Sequence, residues 1–204
     1  MKLAIAFIAS FFTFASAHAR TADEVSPLLI GQSVPKVDVS DESGTKQFLP
    51  SLLKGKHSVI VFYRGGWCPY CNTHLQELAE AESAFLELGY QIIAISPDSP
   101  EMLSSIEKDG ELNYKLYSDS GLTATEAFGI DFNLSKATLL KYRGFGINLE
   151  KNSGGKNKDR LPVPAVFIVT PNNKIAFSYV NPDYKARVPG NLLLAAAKAI
   201  KEAN

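Results

Sequence analysis

The feature that most constrains the fold is a pair of cysteines, Cys68 and Cys71, that directly follows an apolar run at residues 58–63. The run predicts a buried strand, and the turn after it leads into a helix that begins at Cys68. Pro69 fits the first helical turn, where its missing N–H costs nothing. A thiolate at a helix N-terminus faces unpaired backbone N–H groups, which lower its pKa. The i, i+3 spacing places both sulfurs on one side of the helix. The sequence therefore predicts a redox-active dithiol, with Cys68 as the exposed nucleophile and Cys71 as the resolving thiol.

The same spacing leaves a structural disulfide and a metal site as alternatives. The chain has only two cysteines, too few for a four-cysteine zinc site, and neither His57 nor His74 completes a known ligand spacing. We therefore expect no metal and no cofactor. A bridge between Cys68 and Cys71 closes a very small loop and removes little entropy from the unfolded chain, which argues against a purely structural role. A non-enzymatic binding module held by such a bridge is nevertheless kept as a hypothesis.

The start of the chain has the pattern of a secretory signal peptide. Residues 1–19 carry an apolar stretch too short to span a bilayer, and small side chains predict cleavage after Ala17 or Ala19. We expect residues 20–35 to form a polar lead-in and residues 36–204 to form one domain. The signal predicts a periplasmic or secreted protein without a stable membrane anchor, in a compartment where disulfides persist. Lysine plus arginine and aspartate plus glutamate each number 21, so nucleic acid is not an expected partner.

The remaining pattern alternates strands and helices. Such an order predicts an α/β protein with a central mixed β-sheet flanked by helices. Residues 130–162 lack a clear period and include an exposed Gly/Asn/Lys-rich loop. The predicted strands are a short pair around Ser43-Gly44 and residues 57–63, 91–96, 114–118, 165–170 and 174–180; the predicted helices are residues 68–88, 99–109, 122–128 and 191–200.

Four segments carry a resemblance to a known family: VFYRGGWC at 61–68, ISPDSPE at 95–101, the stretch from YSD to AFG at 117–129, and LPVPAVFIV at 161–169. Together they resemble the thioredoxin-like superfamily. Within it, the chain is most similar to the peroxiredoxin-like branch of the alkyl hydroperoxide reductase/thiol-specific antioxidant family. The resemblance implies a thioredoxin-like fold and an antioxidant thiol chemistry.

The resemblance also shows where this chain departs from the peroxiredoxin pattern P-x-x-x-T-x-x-C. Cys71 falls on the peroxide-reactive cysteine, Cys68 on the threonine and Arg64 on the proline, while Pro164 falls on the distal arginine. These replacements suit a thioredoxin, in which the first cysteine is the nucleophile and a cis proline lies beside the dithiol. We therefore expect the Val163–Pro164 bond to be cis and to pack against the sulfurs.

The leading hypothesis is an exported thiol–disulfide oxidoreductase that uses the Cys68/Cys71 couple. Its partners are protein or small-molecule disulfides and thiols, together with a redox partner protein. The alternative is a thiol peroxidase that reduces hydroperoxides, with Cys71 as the peroxide-reactive and Cys68 as the resolving cysteine. Peroxide reduction is expected to be slow because the groups that polarise the O–O bond are replaced, unless Arg64, Arg143 or Arg187 supplies the missing donor.

Three further residues are predicted to support the site. Trp67 shields the sulfurs or forms a docking surface, Arg64 lowers the thiol pKa through its charge, and Pro164 lines the site. The alternatives are a packing aromatic, a solvated turn arginine and a plain proline at the start of a strand. Asp183, Tyr184 and Arg187 resemble a recurring feature of the branch, and the sequence supplies no mechanism for them.

Overall fold

The architecture is a seven-stranded mixed sheet with helices on both faces, seen in a computed structural model that describes residues 20–110 and 112–203. This confirms the predicted fold class. The strands are β1 (Asp38–Ser40), β2 (Lys46–Phe48), β3 (His57–Phe62), β4 (Tyr90–Ser96), β5 (Lys115–Ser118), β6 (Asp131–Asn133), β7 (Arg160–Pro162), β8 (Ala165–Val169) and β9 (Ile175–Val180). The helices are α1 (Leu49–Leu53), α2 (Pro69–Glu80), α3 (Glu82–Glu87), α4 (Pro100–Gly110), α5 (Thr123–Ala127), α6 (Lys136–Gly144), α7 (Leu149–Asn152) and α8 (Gly190–Ala203).

The sheet places the predicted dithiol strand near its centre. Its strand order is β2-β1-β5-β4-β3-β8-β9, and β3, β4 and β5 run parallel to one another. The neighbours β8 and β9 are antiparallel, as the predicted hairpin requires. The carboxyl end of β3 therefore lies beside that of β4, and ligand chemistry in open α/β sheets gathers at this edge.

Strand β3 is buried on both of its faces, as its β-branched run predicts. Val59 and Val61 face the layer formed by α2, α3 and α8. Ile60 and Phe62 face the opposite layer, where the Phe62 and Phe128 rings lie 4.8 Å apart. Because a strand enclosed in this way cannot shift easily, it gives the turn that follows it a rigid base.

The helix predicted for residues 68–88 is in fact two helices. It breaks at Ala81, which ends α2 and precedes α3. The break redirects the chain so that Phe85 is fully buried, with its ring 6.4 Å from that of Tyr90. The apolar stripe continues across the break, which is why the pattern alone indicates one helix.

The segment at residues 130–162 is more regular than its composition indicates. It contains α6 and α7 and a two-stranded sheet in which Phe132 of β6 pairs with Leu161 of β7. Its polar loop is held locally, because the Ser153 hydroxyl accepts a hydrogen bond from the Asn157 N–H at 2.9 Å. These short elements depend on contacts made after folding, so their sequences carry little periodicity.

The lead-in at residues 20–35 lies along the domain. The Ser26 N–H donates to the Gly129 carbonyl at 3.0 Å, and the Gly31 N–H donates to the Ile175 carbonyl at 2.8 Å. The predicted signal peptide, residues 1–19, lies outside the described residues. Across residues 20–110 and 112–203, no helix combines the length and the apolar character needed to cross a bilayer.

Candidate active site

The turn between β3 and α2 is tightly built and leaves little room for side chains. Gly65 has φ +135°, and a Cβ there would lie 2.5 Å from the Trp67 Nε1 atom and 2.9 Å from the Asp98 Oδ1 atom. The Cys68 N–H donates to the Gly65 carbonyl at 3.1 Å, which closes the turn just before α2 begins. Glycine is therefore required at this position both by backbone conformation and by space.

Asp98 stabilises this turn by accepting a hydrogen bond from its backbone. Its carboxylate accepts the Gly66 N–H at 2.8 Å and the Ser96 hydroxyl at 3.2 Å, and the residue is 2% exposed. Burial raises the pKa of Asp98 to about 6, against the opposing effect of these two hydrogen bonds. Sequence reasoning missed this role, although Asp98 belongs to the ISPDSPE segment at the carboxyl end of β4.

Cys68 and Cys71 lie side by side as free thiols at the start of α2. Cys68 is the residue immediately before the helix, and Pro69 is its first residue, as predicted. The expectation that Cys68 is exposed is wrong, because each cysteine is only 1% exposed. Trp67 and the side chain of Tyr142 from α6 lie above this end of the helix.

A hydrogen bond between the two sulfurs divides their acidity. The Cys71 thiol donates to the Cys68 sulfur, and this is the main cause that lowers the pKa of Cys68 to about 6; burial opposes it. The Cys71 backbone N–H and the charges of Arg64 and Arg187 contribute to the same lowering. The same sulfur–sulfur bond, together with burial, raises the pKa of Cys71. The sulfur–sulfur hydrogen bond therefore favours the thiolate form of Cys68 over that of Cys71.

Arg187 reaches the second cysteine from the loop between β9 and α8. Its Nη2 atom lies 3.4 Å from the Cys71 sulfur, and its Nη1 atom donates to the Ala186 carbonyl at 2.8 Å. Of the three arginines considered as replacement donors, this one brings its guanidinium to the Cys71 sulfur, whereas Arg64 reaches Cys71 through its backbone N–H, which lowers the Cys71 pKa. Arg143 is instead exposed on α6. The structure thus gives a position to a residue for which the sequence supplied no mechanism.

Arg64 is buried among aromatic rings beside the dithiol. Its guanidinium lies 4.3 Å from the ring centre of Tyr184 and 5.1 Å from that of Trp67, and it donates to the Tyr142 hydroxyl. Cation–π contacts of this kind stabilise a desolvated arginine. The Nε atom has no hydrogen-bond partner, and among the side chains that the structure describes no carboxylate pairs with this one. Arg64 is therefore a buried cation, not a solvated turn residue.

The expected cis bond before Pro164 is wrong: every peptide bond in the described part of the chain is trans. The Val163 N–H donates to the Ile130 carbonyl at 2.8 Å, and the chain runs extended from β7 into β8. A trans bond suits this extended path and is the default for proline. Pro164 lines a small cavity with His74 and Arg187, so it lies on the arginine side of the site.

The two histidines considered as possible metal ligands pack elsewhere in the domain. His57 stacks against Tyr90 with ring centres 4.9 Å apart. His74 is buried on α2, where burial and, second, the Arg187 charge lower its pKa to about 4. Among the residues that the structure describes, no three His, Cys, Asp or Glu side chains lie close enough together to hold a metal ion.

An open groove leads from the surface to Cys68. We call it the Cys68 groove: it measures about 420 Å³ and lies between the start of α2, helix α6 and the loop that carries Tyr184. Cys68 borders it, whereas Cys71 does not. Aromatic side chains form a large part of its walls, among them Trp67, Tyr70 and Phe145. Volume and lining fall within the range of small-molecule sites.

A thioredoxin-like fold with a Cys-x-x-Cys pair at a helix start defines a class of protein, the thiol-dependent oxidoreductases of this superfamily. The chain matches the AhpC/TSA family over residues 30–178. It belongs to that family.

Curated relatives agree with this membership. A putative peroxiredoxin bcp of Haemophilus influenzae is 31% identical over 107 residues, which cover 52% of this chain and 68% of that protein. Peroxiredoxin Bcp of Bacillus subtilis is 31% identical over 115 residues, which cover 56% of this chain and 72% of that protein. These relatives favour the peroxidase alternative over the leading hypothesis of disulfide exchange, which is not confirmed.

Solved structures agree on the fold. Peroxidoxin BcpB from Mycobacterium tuberculosis superposes with a TM-score of 0.66 at 20% identity and covers 84% of this chain and 97% of its own. Reduced Prx3 from Vibrio vulnificus in complex with H₂O₂ gives 0.69 at 18% identity, covering 84% and 96%. The chain therefore shares its fold with these proteins over most of its length.

Proposed function

We propose that the protein is a peroxiredoxin-type thiol peroxidase that reduces hydroperoxides, with Cys71 as the peroxide-reactive and Cys68 as the resolving cysteine. The observation that carries the proposal is the Arg187 guanidinium 3.4 Å from the Cys71 sulfur. The family pattern puts its peroxide-reactive thiol at this position but its arginine at Pro164. Arg187 supplies the missing cation from another element, so the reason for expecting slow peroxide reduction is weakened.

The chemistry of oxidation uses both sulfurs and the proton that they share. When that proton moves onto Cys68, the Cys71 thiolate attacks the peroxide, the O–O bond breaks, and Cys71 becomes a sulfenic acid. The departing alkoxide or hydroxide takes the proton from Cys68 and leaves as an alcohol or water. Arg187 stabilises the charge that develops on the oxygens. The Cys68 thiolate then attacks the sulfenic sulfur, expels hydroxide, and forms the disulfide.

The second half of the cycle is disulfide exchange at Cys68. A reductant thiolate attacks its sulfur, because Cys68 borders the groove and Cys71 does not. The lowered pKa of Cys68 also favours the exchange chemistry of the leading hypothesis, and the two functions therefore share one dithiol. Trp67, which lines the groove and is partly exposed, is the proposed contact for a redox partner protein.

The proposed place of this activity is the periplasm or the cell exterior. The support is the signal pattern of residues 1–19 alone. The mature N-terminus of exported protein, read by mass spectrometry, should fall after Ala17 or Ala19. Retention of Met1 would overturn this part of the proposal.

Single-turnover oxidation of the reduced protein tests the proposal. The Cys71→Ser variant should lose fast oxidation by hydrogen peroxide, whereas Cys68→Ser should still form a sulfenic acid that dimedone traps. The wild-type protein should form the internal disulfide and trap little dimedone. If Cys68→Ser abolishes oxidation and Cys71→Ser retains it, the assignment of the cysteines is wrong. If the wild-type protein reacts with peroxide no faster than a free thiol of the same pKa, the peroxidase itself is excluded.

A further inference from the structure

The Cys68 groove has a positive character that the peroxidase cycle does not use. Lys141 lies on its wall, on helix α6, whose charged residues are Lys136, Lys141 and Arg143. Acidic side chains are absent from α6 itself. Lys141 therefore presents positive charge to anything that enters the groove from solvent, and no acidic residue of its own helix opposes it.

A second observation points to an anion in the same place. Arg64 borders the groove, is 2% exposed, and keeps its Nε atom without a hydrogen-bond partner. In the reduced protein the Cys68 thiolate offsets this charge, but that thiolate is consumed when the disulfide forms. A buried cation left without a neighbouring anion is costly, and such a charge is normally matched by a partner. In the described part of the chain, the ring of Tyr184 and the hydroxyl of Tyr142 meet the guanidinium, and both partners are neutral. A ligand carboxylate at this end of the groove would supply the missing charge.

The third observation is the sulfur that the groove reaches. Cys68 borders the groove and Cys71 does not, so a reductant that arrives from solvent must attack the disulfide at the Cys68 sulfur. A small thiol that lies in the groove can place its sulfur against Cys68 while its carboxylate faces Arg64 or Lys141. The groove of about 420 Å³ admits a molecule of peptide size but not a folded domain.

We propose that the Cys68 groove binds a small thiol that carries carboxylate groups and that this thiol reduces the oxidised enzyme. The inference rests on the proposed peroxidase cycle for the origin of its disulfide. It adds to that cycle a substrate class for the reductive half and a role for Lys141 and Arg64 as binding residues.

The reductive step balances without another reactant. The bound thiolate attacks the Cys68 sulfur, the Cys68–Cys71 bond breaks, and Cys71 leaves as a thiolate beside Arg187. A second molecule of the small thiol then attacks the ligand sulfur of the mixed disulfide. The products are the small-molecule disulfide and the reduced Cys68/Cys71 pair, so that two thiols are oxidised for each enzyme disulfide reduced.

The test measures this half-reaction alone. The protein is oxidised with diamide, so that the disulfide forms without peroxide, and its reduction is followed by tryptophan fluorescence. Glutathione, which bears two carboxylates, is compared with neutral β-mercaptoethanol and cationic cysteamine. Each rate is divided by the rate of the same thiol with a small model disulfide. We expect saturable reduction by glutathione and a normalised advantage of about tenfold or more over cysteamine.

Charge reversal at Lys141 gives the decisive comparison. Lys141→Glu should weaken reduction by glutathione about fivefold or more and should not weaken reduction by cysteamine. Lys136→Glu is the matched control, because it is exposed on the same helix but does not line the groove, and it should stay within about twofold of wild type. Equal normalised rates for the three thiols, or equal effects of the two variants, would overturn the inference.

Failure of this inference and failure of the peroxidase give different results. If the reduced protein ignores peroxides but the diamide-oxidised protein keeps the glutathione preference, the peroxidase fails and the thiol site stands. If peroxide oxidation is fast but the thiol preference is absent, only the thiol site fails. If Lys141→Glu slows oxidation by a carboxylate-bearing hydroperoxide and leaves glutathione unaffected, the groove binds the oxidant and the inference is overturned.

Discussion

Replacing Arg187 with alanine tests the interaction that carries the proposed peroxidase. The change removes a guanidinium whose Nη2 atom lies 3.4 Å from the Cys71 sulfur. A hydrogen bond to a charged group contributes about 1.5–3 kcal/mol, and about 1.36 kcal/mol corresponds to a tenfold change in rate. The full range is therefore about 10- to 150-fold in rate. Because Arg187 is partly exposed, water moderates the effect, and we expect the lower half, about 10- to 50-fold.

Stopped-flow fluorescence of the reduced protein with hydrogen peroxide measures this loss. Trp67 is the only tryptophan in the chain and adjoins Cys68, so it reports on the dithiol directly. Arg143→Ala, which removes an exposed arginine from α6, is the matched control and should oxidise at the wild-type rate. Thermal unfolding of Arg187→Ala checks that the fold persists.

A small effect of Arg187→Ala on peroxide oxidation would contradict the proposed role of Arg187. If Arg187→Ala oxidises within about twofold of wild type, the guanidinium does not assist peroxide cleavage. The reasoning that lets it replace the missing arginine of the family pattern would then be wrong. If Arg187→Ala slows alkylation of the thiol and oxidation by peroxide by the same factor, the guanidinium acts only by favouring the thiolate. It would then not serve as a donor to the peroxide O–O bond.

Three further predictions concern the acidity and the construction of the site. The alkylation profile of Cys68 should show an apparent pKa of about 6, and Cys71→Ala should raise it, since the Cys71 thiol is the main cause of the lowering; an unchanged profile would contradict this. Burial raises the pKa of Asp98 from 3.8 to about 6, so the folded state binds this proton more tightly than the unfolded state. The contribution of Asp98 to stability therefore falls as the pH rises from 3.8 to about 6. The stability of Asp98→Asn relative to wild type should therefore increase from about pH 4 to about pH 7 in urea unfolding, and a constant difference would refute the assignment. Gly65→Ala should destabilise the fold and slow alkylation of Cys68, whereas Gly144→Ala, with open space around its Cβ position, should change neither.

Local pattern was sufficient to predict the central part of the fold. The buried run of β3, the cysteine turn and the strand β4 each carry their signal in consecutive residues, and all three were confirmed. The break at Ala81 was missed because the apolar stripe continues through it. Helix α6 was missed because all of its side chains are at least partly exposed, which leaves no apolar stripe to read.

The site shows a similar division between local and distant information. The two cysteines follow from their spacing, but the contact between Arg187 and Cys71 joins residues 116 positions apart, and no local pattern announces it. The sequence assigns Asp98 only to the ISPDSPE segment, and its hydrogen bond to the Gly66 N–H is visible only in the fold. The cis bond at Pro164 was inferred from resemblance, and the extended path between β7 and β8 requires none.

The aromatic enclosure of Arg64 has a consequence for the redox balance of the protein. Its guanidinium stays charged at any physiological pH, and its neighbouring rings do not neutralise it. In the reduced protein the thiolate of Cys68 lies nearby and offsets this charge. When the disulfide forms, the thiolate disappears and the cation remains. We therefore expect the enclosure to favour the reduced state over the oxidised one, so that an incoming thiol reduces the disulfide readily.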